Sequence, residues 1–105
     1  AIGERLEGKA AILEFLQGSR AARVVGIHHG HNPEIRLTGD GTATGTWQLF
    51  NYMIDTSTNL RARIGAFYTD EYVKGKSGWK IDSTTITYVF REEFDGESHG
   101  LKLIQ

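Results

Sequence analysis

Two strand-length stretches meet at Gly39-Asp40-Gly41, and that hairpin signal constrains the fold of this chain more than any other feature. Upstream, Val24 to His31 is strand-like. Downstream, Thr42 to Asp55 is dense in Thr, Trp, Phe, Tyr and Ile, which favour a pleated surface. Pro33 cannot donate to a ladder, so it belongs at a bulge or an edge. Residue parity predicts the bulge. His28 falls in the set Val24, Gly26, His28, Gly30, whereas Ile35 and Leu37 carry the opposite parity. One extra residue near Asn32-Pro33 places His28 on the face of Ile35 and Leu37.

Two further strands follow. Leu60 to Lys74 alternates Leu60, Ala62, Ile64, Ala66 and Tyr68 against Arg61, Arg63 and Gly65. Lys74 to Gly78 turns the chain. Trp79 to Phe94 is the fourth strand, with Thr84, Ile86, Tyr88 and Phe90 expected on one side. Ahead of the hairpin, Lys9 to Gln17 reads as the single helix, with Ile12, Leu13, Phe15 and Leu16 as its apolar stripe and Gly18 as a C′ stop. Such a helix is marginal alone and needs a sheet to lie on. Residues 1–7 read as the tail of a strand ending at Gly8, and Arg20 to Arg23 as a connection. The last residues, Leu101 to Ile104, would cap the sheet or pack on a partner. One helix followed by antiparallel strands is an α+β pattern, and 105 residues make one domain, 1–105.

Composition narrows the function. A net charge of −1 with no Lys/Arg run gives no electrostatic footprint for nucleic acid. The absence of cysteine removes disulfides, thiolate metal sites and thiol nucleophiles. Apolar runs fall short of the ~20 residues of a membrane span, and the first residues lack a signal-peptide pattern. The reading is a cytoplasmic protein with no nucleic-acid or membrane partner.

The concentrated chemistry is the cluster His28, His29 and His31. On the inner face, His28 is either a general base or a half-buried histidine satisfied by a neighbour. His29 and His31 have the parity of the other face. As an H-x-H pair they lack a third ligand at a suggestive spacing, so no metal is assigned and they read as a polar outer face. Trp47, Asn51, Tyr68 and Tyr88 are either pocket walls with polar anchors or core residues. Asp70 reads as structural, paired with an arginine or lysine on an adjacent strand. Arg61 and Arg63 are assigned to a solvated or interface face. Gly39 to Thr42 lacks the lysine of a phosphate loop, and no nucleophile elbow occurs.

The ordered motifs His28-His29-Gly30-His31-Asn32-Pro33-Glu34-Ile35, Thr42-Ala43-Thr44-Gly45-Thr46-Trp47, Gly65 to Tyr72 and Gly78-Trp79-Lys80-Ile81 resemble the SnoaL-like branch of the nuclear-transport-factor-2-like superfamily. The nearest likeness is to the bile-acid 7α-dehydratases. A weaker one is to scytalone dehydratase and hexachlorocyclohexane dehydrochlorinase. The resemblance implies a cystatin-like curved antiparallel sheet forming a cone with a helix packed on it. It also implies a pocket for a small, largely apolar molecule and cofactor-free lyase (dehydratase) or isomerase chemistry. His28 falls on the family's catalytic histidine. Asn51 stands where the dehydratases carry an acid, and Tyr88 near their arginine. The lyases' aspartate and tyrosine have no counterpart, because relatives carry one or two helices and a strand before the motif at Gly8-Lys9. A partner or swapped arrangement, a homodimer or higher homo-oligomer, is therefore expected to cover the inner face. The alternative is a non-catalytic binding or dimerisation module of the same fold.

Overall fold

A computed structural model describes residues 5–18 and 23–103. It contains one helix, α1 (Lys9–Leu16), and four strands, β1 (Val24–Gly39), β2 (Thr42–Asp55), β3 (Leu60–Gly75) and β4 (Gly78–Asp95). The strands form one antiparallel meander in the order β1-β2-β3-β4. Asp40-Gly41 closes the first hairpin, where Gly39 pairs with Thr42. Lys76-Ser77 closes the third, where Gly75 pairs with Gly78 and Gly78 takes a φ of 108° that a side chain would resist. Asp55 accepts hydrogen bonds from the backbone N–H and hydroxyl of Ser57, at 2.9 and 2.6 Å, and so holds the β2–β3 turn.

The bulge at Pro33 is present. His31 pairs with Gln48 and Glu34 with Thr46, so Asn32 and Pro33 together oppose Trp47. Asn32 sits at φ 52°, a left-handed conformation that asparagine tolerates. The shift sets His28, Ile35 and Leu37 on one face, as parity requires. β4 carries two further irregularities: Ala66 pairs with Tyr88 but Gly65 with Phe90, and Glu71 pairs with Ser83 but Tyr72 with Ile81. Val89 and Asp82 are the extra residues. The first bulge corrects the expected β4 face. Phe90 leaves the side of Tyr88 and lies over Gly65 on the opposite face, where a Cβ on Gly65 would fall 2.2 Å from its ring.

Burial separates the two faces. Ala43, Leu49, Asn51, Ala62, Ile64, Ala66 and Asp70 are buried, and by register all lie on the face of His28. This is the inner face. Leu49, Ile64 and Ala66 form its apolar centre, flanked by Met53 and Tyr68. Arg61, expected on a solvated or interface face, is the polar exception on the outer face: it is buried within the chain itself. Its guanidinium donates to Asn59 Oδ1 and Tyr52 Oη. Arg63 is solvated and pairs with Glu92 at 3.1 Å.

α1 forms where expected but ends one residue earlier, and none of its residues is buried. Phe15 and Leu16 remain exposed, so its apolar stripe is not seated on the sheet. Gly18 does not adopt positive φ, so the left-handed glycine cap is absent. Residues 5–7 are irregular, not strand. Expectations for residues 1–4, 19–22 and 104–105 fall outside the described residues. A Cα radius of gyration of 16.5 Å, against about 13 Å for a compact chain of this length, matches a sheet on which the helix is not seated. Among the described residues no helix is long and apolar enough to cross a membrane.

Candidate functional site

The inner face has two polar ends separated by an apolar floor. At one end His28 pairs in register with Asn51. The His28 ring is exposed. Asn51 is only 4% exposed, and among the described residues its Oδ1 has no hydrogen-bond partner. That oxygen points towards β1, 3.4 Å from where a Cβ on Gly26 would stand. Gly26 therefore leaves space for the amide. A buried acceptor without a donor costs about 1–3 kcal/mol, so Asn51 is a liability in the free chain.

The other end was not foreseen. Trp47 Nε1 donates to Tyr72 Oη at 2.9 Å, and Tyr72 Oη donates to Asp70 Oδ2 at 3.0 Å. Asp70 is 7% exposed, and among the described residues its Oδ1 has no partner. The expectation that Asp70 pairs with a neighbouring cation is thus corrected: its partner is a phenol two residues along its own strand. Tyr72 pairs with Ala43 and Trp47 with Tyr68, so the Tyr72 ring must cross β2 to reach the indole. Gly45 permits the crossing, since a Cβ there would fall 2.9 Å from the ring. A glycine inside an otherwise strand-favouring run is the signal in the sequence that marks the close approach.

Between the ends lie Leu49, Ala66 and Tyr68, with Tyr88 on the adjacent strand opposite Ala66. Burial is the main cause that raises the Tyr68 phenol above its ordinary pKa, with Tyr88 and Asp70 adding to it. Burial also raises that of Tyr72, helped by Asp70 and opposed by the Trp47 hydrogen bond. Both phenols are therefore neutral donors at physiological pH. Trp47, Asn51, Tyr68 and Tyr88 all belong to the face of His28. His29 and His31 fall on the outer face, where His29 meets Phe50 edge to face. Two surface depressions, of about 350 and 270 Å³, lie at Glu34–Thr46 and at Val24, Met53 and Arg91. Neither contains His28.

Residues 1–85 match the SnoaL-like domain. The chain belongs to that family. Its fold is shared with solved nuclear-transport-factor-2-like structures. LinA superposes with a TM-score of 0.75 at 19% identity, over 86% of this chain and 62% of LinA. The hexachlorocyclohexane dehydrochlorinase LinA-type3 from Novosphingobium barchaimii LL02 gives 0.74 at 20% identity, over 86% of this chain and 62% of that one. A proposed aromatic ring hydroxylase from Novosphingobium aromaticivorans DSM gives 0.73 at 18% identity, over 83% and 61%. This SnoaL-like chain thus spans about three-fifths of the length of each. A dehydrochlorinase and a proposed ring hydroxylase on one fold show how little that fold fixes the reaction.

Proposed function

We propose that this SnoaL-like chain binds a small, largely apolar molecule on its inner face and removes a proton from it, as a cofactor-free lyase or isomerase. The observation that carries this reading is the pairing of His28 with Asn51, a buried amide whose oxygen has no partner and is turned towards the histidine strand. Trp47, Tyr68 and Tyr88 supply aromatic walls. Likeness to dehydrochlorinases supports elimination over other chemistry.

In an elimination, a neutral His28 imidazole nitrogen takes the proton from carbon. The C–H electron pair becomes the new double bond, and the leaving group departs with its own bonding pair. The imidazolium that forms carries an extra N–H. In this reading Asn51 Oδ1 accepts from the ring's other N–H, the one turned away from the substrate, the part an aspartate plays in the lyases this chain resembles. An amide stabilises that cation less than a carboxylate does, so turnover slower than that of an Asp-paired lyase is expected.

The test compares the chain with His28→Ala on chloride release from hexachlorocyclohexane and on water loss from a polycyclic β-hydroxyketone. General base catalysis contributes about 10²–10⁴-fold, and a loss of that size is expected. Equal turnover by the variant ends the role of His28 as base. Binding without turnover by either protein favours the binding-module reading. One observation supports self-association in either case: Ile27, Phe50, Phe67 and Phe90 are exposed on the outer face, an apolar surface suited to a homodimer. Sedimentation equilibrium reads that directly.

A further inference from the structure

We propose that Asp70, held by Tyr72 and Trp47, is a subsite for a protonated amine at one end of an apolar ligand. The inference rests on the binding reading above and names the class of molecule bound. Asp70 is more than nine-tenths buried, with one carboxyl oxygen fixed by the Tyr72 hydroxyl and the other without a partner. Among the described residues, the ion pairs join Arg5 to Glu7, Arg23 to Asp55, Arg63 to Glu92 and Arg91 to Glu93. None reaches Asp70.

Its surroundings are aromatic. Tyr68 and Tyr72 flank it on its own strand and face, and Trp47 is tied to it through the Tyr72 hydroxyl. Tyr88 is close enough to Tyr68 to affect its phenol. Aromatic faces around a carboxylate attract an ammonium group by their quadrupoles and by charge together. A neutral hydroxyl gains only the hydrogen bond. An ammonium reaches the carboxyl as it turns about χ2, a soft torsion, taking the place of the Tyr72 hydroxyl as donor. In the free chain Gly45 leaves the room in which the Tyr72 ring reaches Asp70.

The site is separate from the proton-transfer end. Asp70 pairs with Gly45, which lies six residues along β2 from Asn51, or about 20 Å of strand at ~3.4 Å per residue. An amine held here would extend its apolar body across Tyr68 and Leu49 towards His28.

The test uses two matched probes, 1-naphthylmethylamine and 1-naphthalenemethanol, at pH 7. Binding is read by calorimetry and by the ¹³C carboxyl resonance of Asp70. The chain is expected to prefer the amine by about tenfold, with the Asp70 resonance moving on titration. Asp70→Asn is expected to abolish the preference while circular dichroism stays unchanged. Equal affinity for alcohol and amine overturns the proposal, as does amine binding that leaves the Asp70 resonance still. If the variant fails to fold, the wild-type resonance and the probe ratio decide alone. His28→Ala is expected to keep the amine preference. Failure of the proton-transfer reading would thus show in turnover, and failure of this subsite in the probe ratio.

Discussion

The two polar ends of the inner face solve the same problem in opposite ways. Both bury an oxygen with no donor, Asn51 Oδ1 and Asp70 Oδ1. Around Asp70 the chain has built support: a phenol donates to the second oxygen, an indole donates to the phenol, and a glycine gives them room. Around Asn51 it has built none, and the neighbouring His28 is exposed. The supported end is tied in one geometry in the free chain. At the unsupported end the buried acceptor is left open to an N–H from a neighbouring group or a ligand. Rigidity at one end and an open acceptor at the other are what binding and proton transfer respectively require.

The largest expected contrast is kinetic. His28→Ala should lower turnover by about 10²–10⁴-fold, with little change in melting temperature, because an exposed ring contributes little burial. Next come two substitutions of opposite sign in stability. Tyr72→Phe removes a donor from Asp70 and an acceptor from Trp47, and should destabilise by about 1–3 kcal/mol in urea unfolding. Asn51→Leu replaces an unsatisfied buried acceptor with an apolar side chain of similar size. It should stabilise by about 1 kcal/mol while weakening turnover, the pattern of a group kept for function at the expense of stability. If both variants destabilise equally, Asn51 has a partner in solution and the contrast between the ends collapses.

The first end was legible in the sequence and the second was not, for a physical reason. One proline and the parity of two apolar residues locate the bulge, and the bulge alone turns His28 inward. The Asp70 clamp depends on a side chain crossing a neighbouring strand, which follows from register and from the gap at Gly45, not from any local pattern. The same holds for Phe90. Nothing in Thr87-Tyr88-Val89-Phe90 marks a bulge, as there is no Gly or Pro, yet the extra Val89 moves the ring to the outer face over Gly65. The strand alternation puts Arg61 on a solvated or interface face, and it does not show that the guanidinium is buried there. Its pairing with Asn59 and Tyr52 comes from the β2–β3 turn folding back upon it. The four strands were readable because each carries its own alternation. The seating of α1 was not, since a stripe shows that a helix has an apolar face and not what that face meets.

The smallest expected effect is on the pH dependence of stability, and it too divides between the ends. Beyond Asn51, β2 finishes at Asp55, whose pKa is lowered chiefly by the Ser57 side-chain hydrogen bond, with the Ser57 backbone and Arg23 adding to it. A lowered acid binds fewer protons folded than unfolded. Its contribution is therefore present above the unfolded carboxylate value near 3.9 and is lost as pH falls through the folded value. Near Asp70 the sign reverses in range. Tyr68 and Tyr72 have raised values, so the folded chain holds their protons longer than the unfolded chain. Their contribution is present below the ordinary phenol value of about 10 and is lost as pH rises through the folded values. Urea unfolding from pH 2 to 12 should show both limbs. Ser57→Ala should flatten the acid limb alone, and Tyr68→Phe should flatten part of the alkaline limb alone. A variant that alters both limbs would mean the two ends are coupled through the floor of Leu49 and Ala66, and the separation between them would fail.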